Sequence, residues 1–161
     1  MSNIVLGVGE LGAANSPGTV IKTYALGSCV AIILLDPKTR TVGMAHIALP
    51  DSSINAQRAQ ERPGYFADTG IPALLKEMSK NGCKPGKTTI VKLVGGAQVM
   101  DNNKVFNIGK RNVLAIKKIL WKYGMGSRAE DIGGNISRTV QVDVDRGKVL
   151  ITSSNRKSWE I

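Results

Sequence analysis

Histidine is almost missing from this chain: its 161 residues include one, beside two cysteines. Those side chains cannot complete the four-ligand shell of a structural zinc, and two cysteines cannot build a disulfide framework. No metal role is expected, and both thiols are expected to stay free. Aromatics are scarce as well, with two Trp, three Tyr and two Phe, and none forms the spaced platform on which nucleobases stack. Long apolar runs are absent: the longest unbroken one covers residues 30–35, far short of the ~18 residues that cross a bilayer as a helix. The opening MSNIVLGVGELG has neither the basic flank nor the continuous apolar stretch of an export signal. A cytoplasmic protein without membrane insertion is the expectation.

What is present fits one soluble α+β domain over residues 1–161. Hydrophobic residues make up 42% and charged residues 21%, ordinary for a globular chain, and 18 glycines favour many tight turns over a helical bundle. The net charge of +10 is uneven. Residues 1–80 hold seven Lys/Arg against six Asp/Glu, whereas residues 81–161 hold fifteen against six. Such asymmetry suits an acidic partner, nucleic acid included, or simply a solvated basic surface.

Periodicity predicts strands over residues 4–8, 19–24, 30–35 and 41–49, with turn chemistry at Asp36-Pro37-Lys38-Thr39 making the last two a hairpin. The unbroken apolar run 30–35 reads as a strand covered on both faces. Residues 50–64 are polar with flanking prolines and read as a loop. Ile71, Leu74, Leu75 and Met78 recur at helical spacing, with Asp68 or Thr69 as candidate cap and Gly82 as the stop. A strand follows over 87–94. A helix over 109–124 carries Val113, Ile116, Leu120 and Tyr123 on one face and Lys110, Arg111, Lys117, Lys118 and Lys122 on the other. Residues 139–144 and 149–153 form a second hairpin, and the tail after about residue 152 has no assignment. Strands outnumber the two main helices, so a mixed β-sheet sandwich with helices packed outside is expected.

Cys29 opens the run Gly27-Ser28-Cys29-Val30, and the single histidine, His46, lies on the returning strand. If the hairpin closes through Asp36–Thr39, Cys29 falls directly opposite His46, where Cβ atoms lie about 4.5–5.5 Å apart. A five-residue loop would send the two to opposite faces. An imidazole beside a thiol favours the attacking thiolate, ideally as a thiolate–imidazolium pair. Thr23, on the preceding strand, is a candidate to hold the ring in one tautomer. Gly27 and Ser28 allow a tight turn that can present backbone N–H groups to a developing oxyanion. The competing reading keeps Cys29 as a buried core thiol and His46 as a structural residue. Ser28 is a rival nucleophile, but strand alternation turns it away from His46. Cys83, after Gly82, reads as an incidental thiol.

These residues sit within a wider pattern. Thr23-Tyr24-Ala25-Leu26-Gly27-Ser28-Cys29-Val30, Gly43-Met44-Ala45-His46 and Leu49-Pro50-Asp51-Ser52 resemble the CheD family of chemoreceptor glutamine deamidases. Tyr65-Phe66-Ala67-Asp68-Thr69, Gly95-Gly96-Ala97, Asn107-Ile108-Gly109-Lys110-Arg111-Asn112 and Gly133-Gly134-Asn135 continue the match in order. The resemblance implies a catalytic triad at Cys29, His46 and Thr23, on a fold similar to the catalytic domain of cytotoxic necrotizing factor toxins. It implies cysteine-dependent hydrolysis of glutamine side chains to glutamate on methyl-accepting chemotaxis receptors, with no cofactor. Glutamyl methyl ester hydrolysis and regulatory binding to the CheC phosphatase are implied with it. Two alternatives stand beside this expectation. One is a non-catalytic adaptor binding CheC or receptor, with Val99, Met100, Val105 and Phe106 as a docking surface. The other is nucleic-acid binding through the basic helix, which the aromatic pattern disfavours. Residues 51–64 are the candidate rim of a specificity pocket.

Overall fold

The run that starts at Val30 ends up between two apolar layers, and this organises the chain. The computed structural model describes residues 2–98, 107–155 and 157–161. Their strands are β1 (Ser2–Leu6), β2 (Leu11–Ala14), β3 (Thr19–Leu26), β4 (Val30–Asp36), β5 (Thr41–Ile47), β6 (Ile90–Gly95), β7 (Ser127–Ile132), β8 (Arg138–Asp143), β9 (Val149–Ser153) and β10 (Ser158–Glu160). The helices are α1 (Ala56–Glu61), α2 (Ala67–Ser79) and α3 (Ile108–Lys122). One sheet runs β1-β3-β8-β9-β10 and the other β2-β5-β4-β6-β7. Both mix parallel and antiparallel pairs, β1 with β3 and β6 with β7 being parallel. An α+β architecture with two mixed sheets results, as expected.

Successive β4 side chains point to opposite faces. Ala31, Ile33 and Leu35 join Ile21, Leu26, Val140, Val142 and Ile151 in the layer between the sheets. Val30, Ile32 and Leu34 pack outward under Ile71, Leu74 and Met78 of α2 and Val113, Ile116 and Leu120 of α3. Each fully buried Ile or Leu here contributes roughly 1.5–3 kcal/mol. Gly43 lets α2 approach: a Cβ there would sit 2.9 Å from Met78 Sδ.

Several sequence expectations change. The β4–β5 turn is Pro37–Arg40, because Asp36 pairs with Thr41. The Asp36 carboxylate grips the turn from its foot, accepting from the N–H groups of Lys38 and Thr39 and the Thr39 hydroxyl, while Arg40 adopts φ +58°. Residues 50–64 hold α1 and two 3₁₀ turns rather than plain loop. Helix α2 begins without a side-chain cap; Asp68 instead accepts from Ser52 N–H and Oγ. Tyr123 ends α3 exposed rather than on its buried stripe. Strands β2, β7 and β10 were not expected. Val99, Met100, Val105 and Phe106 lie outside the described residues.

Candidate active site

Thr23 and His46 come from different sheets and meet between them. Thr23 shares its face of β3 with Ile21, and His46 shares its face of β5 with Met44 and Val42, all turned toward the inter-sheet layer. Thr23 is fully buried and His46 is 2% exposed. Thr23 Oγ1 lies 2.7 Å from His46 Nδ1 and donates to the Leu6 carbonyl oxygen at 2.7 Å. A hydroxyl has one hydrogen, and here it is spent on Leu6. The oxygen must therefore accept from His46, so Nδ1 carries the proton and Nε2 keeps a bare lone pair. Nε2 is buried and has no hydrogen-bond partner among the described residues. The Thr23 hydroxyl, not its carbonyl, meets the ring.

Cys29 immediately precedes β4 and is half-buried, packing against the inter-sheet layer. Because Ala31 is the residue directly opposite His46, the register differs by two residues from the one expected for a turn at Asp36–Thr39. A shift of two preserves the face. Cys29 stays on the side of the sheet that carries His46, one diagonal step along the hairpin instead of directly across, with no hydrogen bond from its thiol to Nε2 among the described residues. The Gly27–Cys29 turn is fixed through its carbonyls: Gly27 O accepts from Ala97 N–H at 2.8 Å and Cys29 O from Gly96 N–H at 2.9 Å. Gly95, at φ +117°, leaves room for this approach, since a Cβ would lie 2.3 Å from Cys29 O.

Comparison with known proteins turns on a family profile described as CheD chemotactic sensory transduction, which matches residues 48–153, more than half of the chain. The chain belongs to the CheD family. A protein of Syntrophotalea carbinolica named "Probable chemoreceptor glutamine deamidase CheD" is 52% identical over 162 residues, covering 100% of both chains. One of Thermotoga maritima named "Chemoreceptor glutamine deamidase CheD" is 40% identical over 147 residues, 91% of this chain and 89% of its own. A third, of Syntrophus aciditrophicus, named "Probable chemoreceptor glutamine deamidase CheD 1", is 40% identical over 96% of each chain. Thr23, Cys29 and His46 precede the segment matched by the family profile, but the full-length similarity to the Syntrophotalea CheD spans them.

Electrostatics in this CheD-family site differ from the ion pair expected from the residue types. Burial pushes the Cys29 thiol pKa up, partly offset by its own backbone N–H. Burial also pulls His46 down to about 4. Thiol and imidazole are both neutral at pH 7, and no thiolate–imidazolium pair stands ready in the folded protein. Cys83 is 2% exposed and held up at about 11 by burial and by the facing Asp36 carboxylate.

Past His46, β5 runs into a hollow of about 220 Å³ lined by Leu49, Pro50, Asp51, Ile54, Ile108 and Arg111. Asp51 and Ile54 come from the segment expected to form a pocket rim. Sequence reasoning assigned no role to Asn112, which is fully buried and donates through Nδ2 to Ser28 O and Ala48 O, 3.0 Å each. The available signal was its place on the buried face of α3, one turn before Ile116. Among the described residues no three His, Cys, Asp or Glu side chains gather as a metal site, and no helix is long and apolar enough to cross a membrane.

Proposed function

We propose that this protein is a thiol-dependent glutamine amidohydrolase acting on chemotaxis receptors, with Cys29 as nucleophile, His46 as base and acid, and Thr23 as the residue orienting His46. One observation carries the reading: the chain from Leu6 carbonyl through Thr23 hydroxyl to His46 Nδ1 leaves Nε2 as a buried, unpartnered acceptor on the face that carries Cys29. The names of the Syntrophotalea and Thermotoga relatives supply the substrate class.

The steps follow from the groups present. The Cys29 sulfur bonds to the carboxamide carbon as its proton passes to His46 Nε2. Backbone N–H groups of Ser28 and Cys29 receive the oxyanion. His46 returns the proton to the amide nitrogen, the C–N bond breaks, and ammonia leaves rather than an amide anion. Water then gives a proton to neutral His46 and attacks the thioester carbon. Collapse breaks the C–S bond, the sulfur recovers the proton, and glutamate is released. A glutamyl methyl ester takes the same route with methanol as leaving group. Binding to a CheC-type phosphatase, a cytoplasmic setting and a likeness to the cytotoxic necrotizing factor catalytic domain belong to the same reading, supported by the family resemblance; for the last, the two-sheet core with α2 and α3 on one outer face adds to it.

The test incubates a purified receptor cytoplasmic domain with wild type and Cys29→Ala, mapping every glutamine-to-glutamate conversion by mass spectrometry. Conversion by wild type alone is expected. Equal conversion by both removes the thiol, and no conversion by wild type favours the adaptor role.

A further inference from the structure

The turn before β4 has every carbonyl occupied. Gly27 O and Cys29 O are held by the N–H groups of Ala97 and Gly96, and Ser28 O by Asn112 Nδ2. In a trans peptide the C=O and the following N–H point in opposite directions, and no peptide bond among the described residues is cis. Holding Gly27 O and Ser28 O on the side of residue 97 and α3 therefore turns the Ser28 and Cys29 N–H groups to the other side. Neither has a backbone or side-chain acceptor among the described residues.

Two of the three carbonyls are held by backbone N–H groups rather than by side chains. The Ser28–Cys29 peptide depends on one side chain. Asn112 spends both amide hydrogens on Ser28 O and Ala48 O, so the same group ties the turn carrying Cys29 to the strand end two residues beyond His46. Its Oδ1 is buried without a partner among the described residues. Flipping the amide would set that oxygen against two carbonyl oxygens, so the orientation is fixed. A buried carboxamide with one idle end is expected where geometry, not stability, is being served.

We propose that Asn112 is a positioning residue for the reaction: through the Ser28 carbonyl it aims the Cys29 N–H at the substrate oxyanion, and through the Ala48 carbonyl it anchors that turn to the end of β5. The inference rests on the thiol chemistry proposed above. Misaiming one oxyanion donor is expected to lower kcat by roughly 10–100-fold.

The experiment compares wild type, Asn112→Ala and Asn112→Asp on the receptor cytoplasmic domain, alongside peptide-resolved alkylation of Cys29 by iodoacetamide. Alkylation attacks a saturated carbon and needs no oxyanion donor. Asn112→Ala is expected to lose kcat with KM within about twofold of wild type, while its Cys29 alkylation stays near the wild-type rate. Should Asn112→Ala fail to fold, Asn112→Asp remains. Its carboxyl donates only when protonated, so its kcat is expected to rise as pH falls from 8 to 6, where wild type stays flat. Wild-type kcat in Asn112→Ala, or kcat and alkylation falling by one common factor, overturns the assignment, as does a flat Asn112→Asp profile. Retained deamidation by Cys29→Ala refutes the thiol chemistry instead, so the two failures are distinguishable.

Discussion

Acid should weaken this protein measurably through one buried side chain. His46 is the chain's single histidine, and burial lowers its pKa from 6.5 to about 4. Between those values the unfolded chain binds a proton at His46 and the folded chain does not, so stability falls as pH falls from 6.5 toward 4. At ~1.36 kcal/mol per pH unit, the linkage removes about 2 kcal/mol by pH 5 and about 3 kcal/mol by pH 4. That is a large share of the ~5–15 kcal/mol that holds a typical domain together. Urea unfolding of wild type and His46→Gln at pH 7, 6, 5 and 4.5 measures it. Carboxylates contribute equally to both proteins, so the difference isolates His46. Wild type should lose stability about 2 kcal/mol faster than His46→Gln between pH 7 and 5. Parallel pH profiles would refute the argument, because they would mean that His46 is solvated or ion-paired in the folded state. If His46 is the base, as proposed, deamidation should lose activity with an acid limb near pH 4, well below that of an exposed histidine.

Thr23→Val keeps the shape but leaves Leu6 O and His46 Nδ1–H unpaired in the interior. An unsatisfied buried donor costs about 1–3 kcal/mol, so the base-competent tautomer should become roughly 5–150-fold rarer, with kcat falling in step. Thr23→Ser should recover most of the loss, and wild-type turnover by folded Thr23→Val would contradict the tautomer argument. The two thiols should separate cleanly under iodoacetamide at pH 8. Half-exposed Cys29 reacts first, while Cys83, buried and raised to about 11, has roughly one thiolate in a thousand. Peptide mapping that finds both modified at one rate would contradict the burial.

Periodicity made the centre of the fold legible and its margins less so. Val30–Asp36 has apolar neighbours on both faces, which leaves an uninterrupted signal. The face shared by Cys29 and His46 was legible too, because it depends only on register parity; the direct opposition was not, because the Asp36 carboxylate moves the turn by one residue. Strand β7 (Ser127–Ile132) hides because its charged residues pair locally, Glu130 with Lys117 and Asp131 with Arg138, so it lacks apolar alternation. Strand β2 is four residues of half-buried small side chains and Leu11. Asn112 was hidden for another reason: its role depends on two carbonyls 64 and 84 residues away, and local pattern carries no trace of such partners.

The Leu6 carbonyl gives the first strand an influence out of proportion to its size. Strand β1 lies at the border of its sheet, paired in parallel with β3 alone among the described residues. Without that carbonyl the Thr23 hydroxyl is free to donate its hydrogen to Nδ1, the ring's proton moves to Nε2, and the nitrogen available to a thiol becomes a donor instead of an acceptor. A fusion or trimming that peels away the opening residues would therefore leave every reacting group in place and reverse the polarity of the base.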